Sequence, residues 1–293
     1  ARSATSTKFA MNQPDFKVLQ TPGEPFGFWM NMDRELGSDV RVRQALLHAL
    51  NREQIINQIN LGVGEVLRQT PLPKAVPGYE PNVREYPYDV DLANALLNQA
   101  GWVDIDGDGW RETNMGEDFD VEIVCTQQLV PMAIVAQSMW KKVGVPVSTS
   151  VGERATNLER RDAGKFDIFI TGITRPNAGL YLPFFSSNSI PNPNMMRYRS
   201  DRVDSLIQEF NKAKEEEERM EKLSEIQKQI AEDLPVLEIW DKMKTSVTRE
   251  GVMGDCPNTY YWITMFDTMY WESSPPAEDS CTYPYYLAIQ ESK

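Results

Sequence analysis

Between residues 119 and 172 the apolar positions change period four times. Phe119, Val121, Ile123 and Cys125 fall at every second position, the two-residue repeat of a strand. Met132–Val143 follows with helical spacing and stops at Gly144. Val145–Val151 reads as a strand, Ala155–Ala163 as a helix stopped by Gly164, and Phe166–Gly172 as a third strand. Strands alternating with helices of this length imply βαβ units and a largely parallel sheet. Upstream, Asp39 can cap a helix carrying Val42, Ala45, Leu46, Ala49 and Leu50, and Asn51 can cap a second carrying Ile55, Ile56 and Ile59. Asp89 begins a third, with Leu92, Leu96 and Leu97, ended by Gly101. Between the second and third lies a stretch with Pro71, Pro73, Pro77, Pro81 and Pro87, which excludes a long helix or a central strand.

Downstream, Asp201–Lys214 and Glu216–Glu232 predict two further helices, and Pro235–Asp241 and Thr245–Arg249 are strand-like. Residues 1–25, with Pro14, Pro22 and Pro25, predict a loop or strand entering the body. The tail beyond 250 is rich in Tyr, Trp, Pro and Asp and has no helical period.

Composition narrows the function. The chain has 293 residues, 41% hydrophobic and 25% charged, enough for a sizeable core. Forty-three acidic against 30 basic residues give a formal charge of −13. Nucleic-acid affinity comes mainly from basic residues neutralising phosphates, so a nucleic-acid partner is not expected. Docking on an anionic membrane surface is disfavoured for the same reason. No apolar run reaches the length of a membrane span. Ala1–Ala10 is polar and lacks the apolar core of a signal peptide, as expected if a leader has been removed or lies upstream.

Candidate chemistry is sparse. The single histidine, His48, lies in the first predicted helix and reads as structural. No GxSxG, HExxH or Walker sequence is present, and no cofactor is expected. Of the three cysteines, Cys125 reads as a buried free thiol, while Cys256 and Cys281 leave a disulfide open. Asp104, Asp106 and Asp108, in DxDxDG spacing, resemble the first half of a calcium loop, but Met115 stands where an EF-hand places its bidentate glutamate. Turn chemistry alone also accounts for these residues. Arg154, Arg160, Arg161 and Arg175 flank the last two strands of the alternating region, and open α/β sheets bind ligands beyond the carboxyl ends of their strands. Thr174, Arg175 and Asn177, on the segment leaving the third strand, are ligand candidates. Arg160 and Arg161 read as solvated helix charges.

The order of motifs resembles the family 5 extracellular solute-binding proteins, which serve ABC importers. Asp39-Val-Arg-Val-Arg-Gln-Ala-Leu followed by Ala49-Leu-Asn-Arg-Glu-Gln-Ile is similar to the family's VRxA…ALDRxxI signature. Pro71-Leu-Pro73…Gly78-Tyr79, Tyr88-Asp89 through Gly101-Trp102, the Asp104–Gly109 loop and Lys165-Phe-Asp-Ile…Gly172 follow in the family's order.

The resemblance implies a periplasmic-binding-protein-like α/β lobe of class II, or cluster C, with a mostly parallel sheet flanked by helices. It implies a hinge or first-lobe segment over 1–25, a second, ligand-binding lobe over 26–243, and a return segment to the first lobe with a tail over 244–293. Because members are considerably longer, the first half of the protein is expected to be missing. The function implied is capture of a small peptide-like, opine-like or glycan-like solute for permease subunits, outside the cytoplasm, with a membrane anchor compatible with the missing N-terminal part. No enzymatic role is implied.

Trp29 and Asn31, on the entry strand, join Arg154, Thr174, Arg175 and Asn177 as expected ligand-face residues. One departure matters. Peptide-binding members carry a tryptophan and then an acidic residue after the glycine of the third strand, whereas Gly172 is followed by Ile173, Thr174, Arg175 and Pro176. An α-amino group would meet Arg175 there, which leaves a carboxylate-bearing solute open. The alternatives from other classes are an α/β hydrolase fragment, which needs an acid–base pair in a cleft, and an interaction module docking through Tyr260, Tyr261, Trp262, Tyr270 and Trp271.

Overall fold

The chain begins with a helix where its composition predicts loop or strand. In the structure, a computed structural model describing residues 3–74, 76–113, 116, 120–249, 251–253 and 270–271, Ser3 caps α1 (Ala4–Met11) by accepting from the Ser6 amide at 3.1 Å. Next come β1 (Phe16–Met30), a single-turn α2 (Glu35–Ser38), α3 (Val40–His48), α4 (Arg52–Asn60), the two-residue β2 (Glu65–Val66) and α5 (Val90–Gln99). The alternating region supplies β3 (Val121–Cys125), α6 (Val130–Trp140), β4 (Val147–Val151), α7 (Arg154–Asp162) and β5 (Ile168–Gly172). The short α8 (Ala178–Tyr181), then α9 (Asp201–Lys212), α10 (Glu216–Asp233), β6 (Val236–Arg249), β7 (Val252–Met253) and β8 (Tyr270–Trp271) complete the described elements. The three predicted caps are formed: Asp39, Asn51 and Asp89 accept from the amides of Arg41, Gln54 and Leu92. No helix among the described residues is long and apolar enough to cross a membrane.

Six strands form one sheet in the order β2-β6-β1-β5-β3-β4, and β7 pairs with β8 separately. The three strands predicted to share a sheet do so, with β3 parallel to both β4 and β5. The expectation of a mostly parallel sheet needs correction for the other half. β1 is antiparallel to both β5 and β6, and β2 is antiparallel to β6, so the sheet is mixed. The antiparallel half is built on β1 and β6, which run in opposite directions and pair from Phe16↔Arg249 to Trp29↔Val236. The separate strands predicted over 235–241 and 245–249 are one strand. Both strands continue through residues 25 and 243, where the segment boundaries are expected. The only interruptions are register shifts between Thr21 and Glu24 and between Phe26 and Gly27.

Alternate residues of each strand enter opposite cores, as the pleat requires. Phe28, Met30, Ile168, Ile170, Ile123, Leu237 and Ile239 face the layer of α3, α4, α5 and α6. Trp29, Phe169, Val124 and Val236 face α9, α10 and the 178–185 segment. Trp140 shows how the first layer is fixed: its ring lies 5.1 Å from that of Phe28 and its Nε1 donates to the Leu46 carbonyl at 2.8 Å. In the second layer, the Gln227 amide donates to the Gly78 carbonyl and accepts from Thr70 Oγ1 and the Glu80 amide, fastening the proline-rich connection to α10.

His48 is structural, with its Nδ1 2.7 Å from the Pro87 carbonyl and its ring against Tyr86. Cys125 is a buried free thiol, and burial raises its pKa to about 11. Cys256 and Cys281, whose pairing the sequence leaves open, and the tail at Tyr260, Tyr261 and Trp262 lie outside the described residues.

Asn31 closes the end of β1. Buried to 1% exposure, it donates from Nδ2 to the carbonyls of Gly164 and Phe166, and its Oδ1 accepts from the Asp33 amide. Unpaired buried polar groups cost about 1–3 kcal/mol each. Asn31→Ala is therefore expected to destabilise the fold by about 2 kcal/mol or more, read as a lower urea midpoint with unchanged slope; an unchanged midpoint would refute this. A second expectation concerns the thiol. With Cys256 and Cys281 replaced by serine, Cys125 should resist a thiol reagent at pH 8 in native buffer and react promptly in urea. Equal rates in the two conditions would contradict its burial.

Candidate functional site

The carboxyl ends of β3, β4 and β5 share one edge of the sheet, as their parallel registers require. Asn157 stitches that edge. Its Nδ2 donates to the carbonyls of Cys125 and Gly152, and a Cβ at Gly152 would stand 2.4 Å from its Oδ1, so glycine is the residue that fits. This fixes the start of α7 and with it Arg154, which is exposed at the edge.

β5 leaves the same edge through Ile173, whose amide donates to the Pro25 carbonyl. The following turn is locked by one tyrosine: Tyr181 Oη donates to the Ile173 carbonyl and accepts from the Arg175 amide. Asn177 caps α8 through the Leu180 amide. Arg175 lies half-buried over the Phe184 ring, 5.1 Å from its centroid, with Nη1 donating to the Thr174 carbonyl. It has no ion pair among the described residues. A guanidinium seated on an aromatic face, with further N–H groups uncommitted among the described residues, suits an anionic group arriving at the carboxyl edge of the sheet. Thr174 is half-buried beside it.

Two expected ligand residues do not join this group. Asn31 pairs near the amino end of β5, at the opposite edge, and its amide is already bonded. Trp29 is 5% exposed: its Nε1 donates to the Thr171 carbonyl and its ring packs on Phe184 and Phe185. It supports the platform under Arg175 from within the core. Arg160 also differs from its reading as a solvated charge. It bridges β3 and β4, with Nη2 on Glu122 and Nη1 on Ser150 Oγ, both at 2.6 Å. Arg161 pairs with Asp162.

The Asp104–Gly109 loop closes on itself. Asp104 accepts from the amides of Gly107 and Gly109, Asp106 from Asp108, Asp108 from Trp110, and Glu112 from Ile105. One oxygen from each carboxylate lies within 4.8 Å of the others. Each aspartate of the motif thus takes part in the turn, and the four carboxylates stay close enough together to hold a metal ion.

Sequence reasoning missed the acids on the ribbon. Glu24 lies at the edge; burial raises its pKa, while Lys242, Lys244 and Arg154 pull it down. Glu238 lies deeper and opposite Gly27, with a pKa pushed up to about 8 by burial and then by Asp241. A signal existed: Glu238 interrupts the apolar run Val236-Leu237-Glu238-Ile239-Trp240. An acid at that point in a buried strand is unusual.

Comparison with known proteins places this architecture. The profile of the bacterial extracellular solute-binding proteins, family 5 Middle, matches residues 2–191. The oligopeptide-binding protein AppA of Bacillus subtilis is 30% identical over 215 residues, 70% of this chain but 39% of that protein. Its structure with a nonapeptide superposes with a TM-score of 0.77 at 26% identity, over 88% of this chain and 52% of that one. HbpA2 of Haemophilus parasuis superposes at 0.80 with 22% identity, over 92% and 52%. The chain thus spans about half the length of the solved structures it matches, or less for the curated relative. On the strength of the profile and the fold together, the chain belongs to the family 5 bacterial extracellular solute-binding proteins.

Proposed function

We propose that the chain is the ligand-gripping lobe of an extracytoplasmic solute-binding protein, which captures a small solute and delivers it to the permease subunits of an ABC importer. The observation that carries this reading is the sheet edge. There the half-buried Arg175, without an ion pair among the described residues, sits on Phe184, next to the long β1–β6 ribbon. A second lobe attached through that ribbon would close over the edge, as in a two-lobed clamp. Family membership and the relative's nonapeptide support a peptide-like solute. Arg175, where a cationic guanidinium meets the cleft, supports one bearing a carboxylate or other anion.

In this reading 26–243 is the gripping lobe and the segments 1–25 and 244–293 are its connections to the other. Arg154, Thr174 and Arg175 contact the solute, and Asn177 holds their turn through its cap on α8. The hydrolase reading has little to stand on, since the one imidazole in the sequence is engaged with the Pro87 carbonyl.

The test is a thermal-shift screen of the complete protein against peptides, opines and oligosaccharides, because a ligand specific to the native state raises the melting temperature. Failure of every class would refute the transport reading. With a ligand in hand, Arg175→Ala should weaken binding about 30-fold or more, the scale of ~2–5 kcal/mol for an anion losing its charged donor. Arg202→Ala, at a surface pair with Glu225, should change affinity little. Arg160→Ala is unsuitable as the control because it breaks the bridge between β3 and β4. Equal losses at Arg175 and Arg202 would remove Arg175 from the site.

A further inference from the structure

The β1–β6 ladder changes register beside an acid. Phe26 pairs with Trp240 and Gly27 with Glu238, which leaves Ile239 as an extra residue on β6, a bulge. Glu238 is 8% exposed, and its side chain makes no hydrogen bond or ion pair among the described residues. Its main chain is held instead, the amide donating to Gln69 Oε1 and the carbonyl accepting from Gln69 Nε2. A Cβ on Gly27 would stand 3.2 Å from Glu238 Oε2 and 2.8 Å from the Leu237 carbonyl oxygen. The carboxyl therefore lies in the space that a side chain at position 27 would take, and the two strands close on it at the bulge.

Its described surroundings supply no counter-charge. On β6, buried Asp241 adds negative potential. On β1, Gly27 is the facing residue, and Glu24 farther along answers to Lys242, Lys244 and Arg154. On β2, Glu65 holds Lys74. The segment beside β6 presents Gln69 and Thr70, with Thr70 committed to Gln227 of α10, while Arg68 pairs with Glu85. The layer of α9, α10 and residues 178–185, on the face that Val236 enters, brings no charged group to bear on Glu238. Burial, and after it Asp241, push the Glu238 pKa up to about 8. A carboxyl so placed is favoured as the neutral acid, and ionising it leaves an unpaired charge in a buried site.

We propose that the proton on Glu238 latches the β1–β6 ladder: the neutral acid lets the strands close at the bulge, and its ionisation loosens their pairing there. This goes beyond the transport reading and does not rest on it. Opening the ladder returns the carboxyl to water, where it ionises near its ordinary value of 4.5. The closed ladder thus binds the proton more tightly than the open one. Its stabilisation is complete below about 4.5 and is lost as pH rises through the folded value, with no further loss once both forms are ionised.

Amide hydrogen exchange of the complete protein tests this, read over residues 24–30 and 236–241 and corrected for the intrinsic pH dependence of exchange. Protection in the wild type should fall at least about tenfold between about pH 6 and pH 8, the size expected of one proton released on opening. Glu238→Gln has nearly the same shape and no charge at any pH, so its protection should stay level over that window. Level protection in the wild type would overturn the proposal, whether or not the variant folds. So would an equal fall in Glu238→Gln, which would assign the proton to another group. A solute screen without hits would refute the transport reading and leave this pH dependence unchanged.

Discussion

The antiparallel pairing of β1 with β6 is the constraint from which the rest follows. β1 also holds β5, so it joins the hairpin-like half of the sheet to the parallel half made by β3, β4 and β5. Both hydrophobic layers are built on it, Phe28 and Met30 facing one and Trp29 the other. The ladder also sets which edge is free. It meets β5 head-on at Phe26↔Gly172 and then continues alone, so the carboxyl ends of three strands open beside a two-stranded ribbon.

That edge is shaped by local devices. Asn157 ties the exits of β3 and β4 together, and Tyr181 ties the exit of β5 to the turn that follows. Trp29 meets Phe184 edge-on, and Phe184 in turn lies under a guanidinium that would otherwise be a flexible surface charge. The candidate residues at this edge are thus backed by Asn157, Tyr181 and Phe184. This is the preorganisation that lets a binding protein avoid ordering its site at the moment of capture.

Much of this fold was legible from the sequence, and for identifiable reasons. The strands and helices between 119 and 172 declare themselves because period 2 and period 3.6 alternate with glycine stops, and the caps at Asp39, Asn51 and Asp89 are chemistry that a sequence displays directly. The helix at 4–11 was not legible, since a short polar segment has no apolar face to advertise it. Nor was the length of β1 and β6, because Pro22 and Pro25 read as interruptions, whereas Pro22 falls in the register shift between Thr21 and Glu24 and Pro25 pairs with Asp241. Among the candidate residues, Arg175 and Thr174 stand just past β5 at the carboxyl edge, a position the sequence displays through the strand that precedes them. Trp29 and Asn31 misled because an aromatic and an amide suit a pocket and a core equally well, and only burial separates the two. Arg160 misled in the opposite direction: helix position suggested water, and a carboxylate on the neighbouring strand was invisible until Glu122 was placed beside it.

The paired ribbon also has a mechanical meaning. Phe16 and Arg249 are neighbours, so whatever lies past them is tethered to this lobe at two adjacent points joined by hydrogen bonds. Splaying the strands would break those bonds, and sliding one along the other would break the register of every pair at once. Bending the ribbon out of its own plane does neither. The bulges at residues 21–24 and 26–27, where the ladder is already interrupted, are where such bending is cheapest. A connection of this kind leaves one soft direction of movement and stiffens the others, so a body hinged on it swings along an arc set by the strand pairing itself.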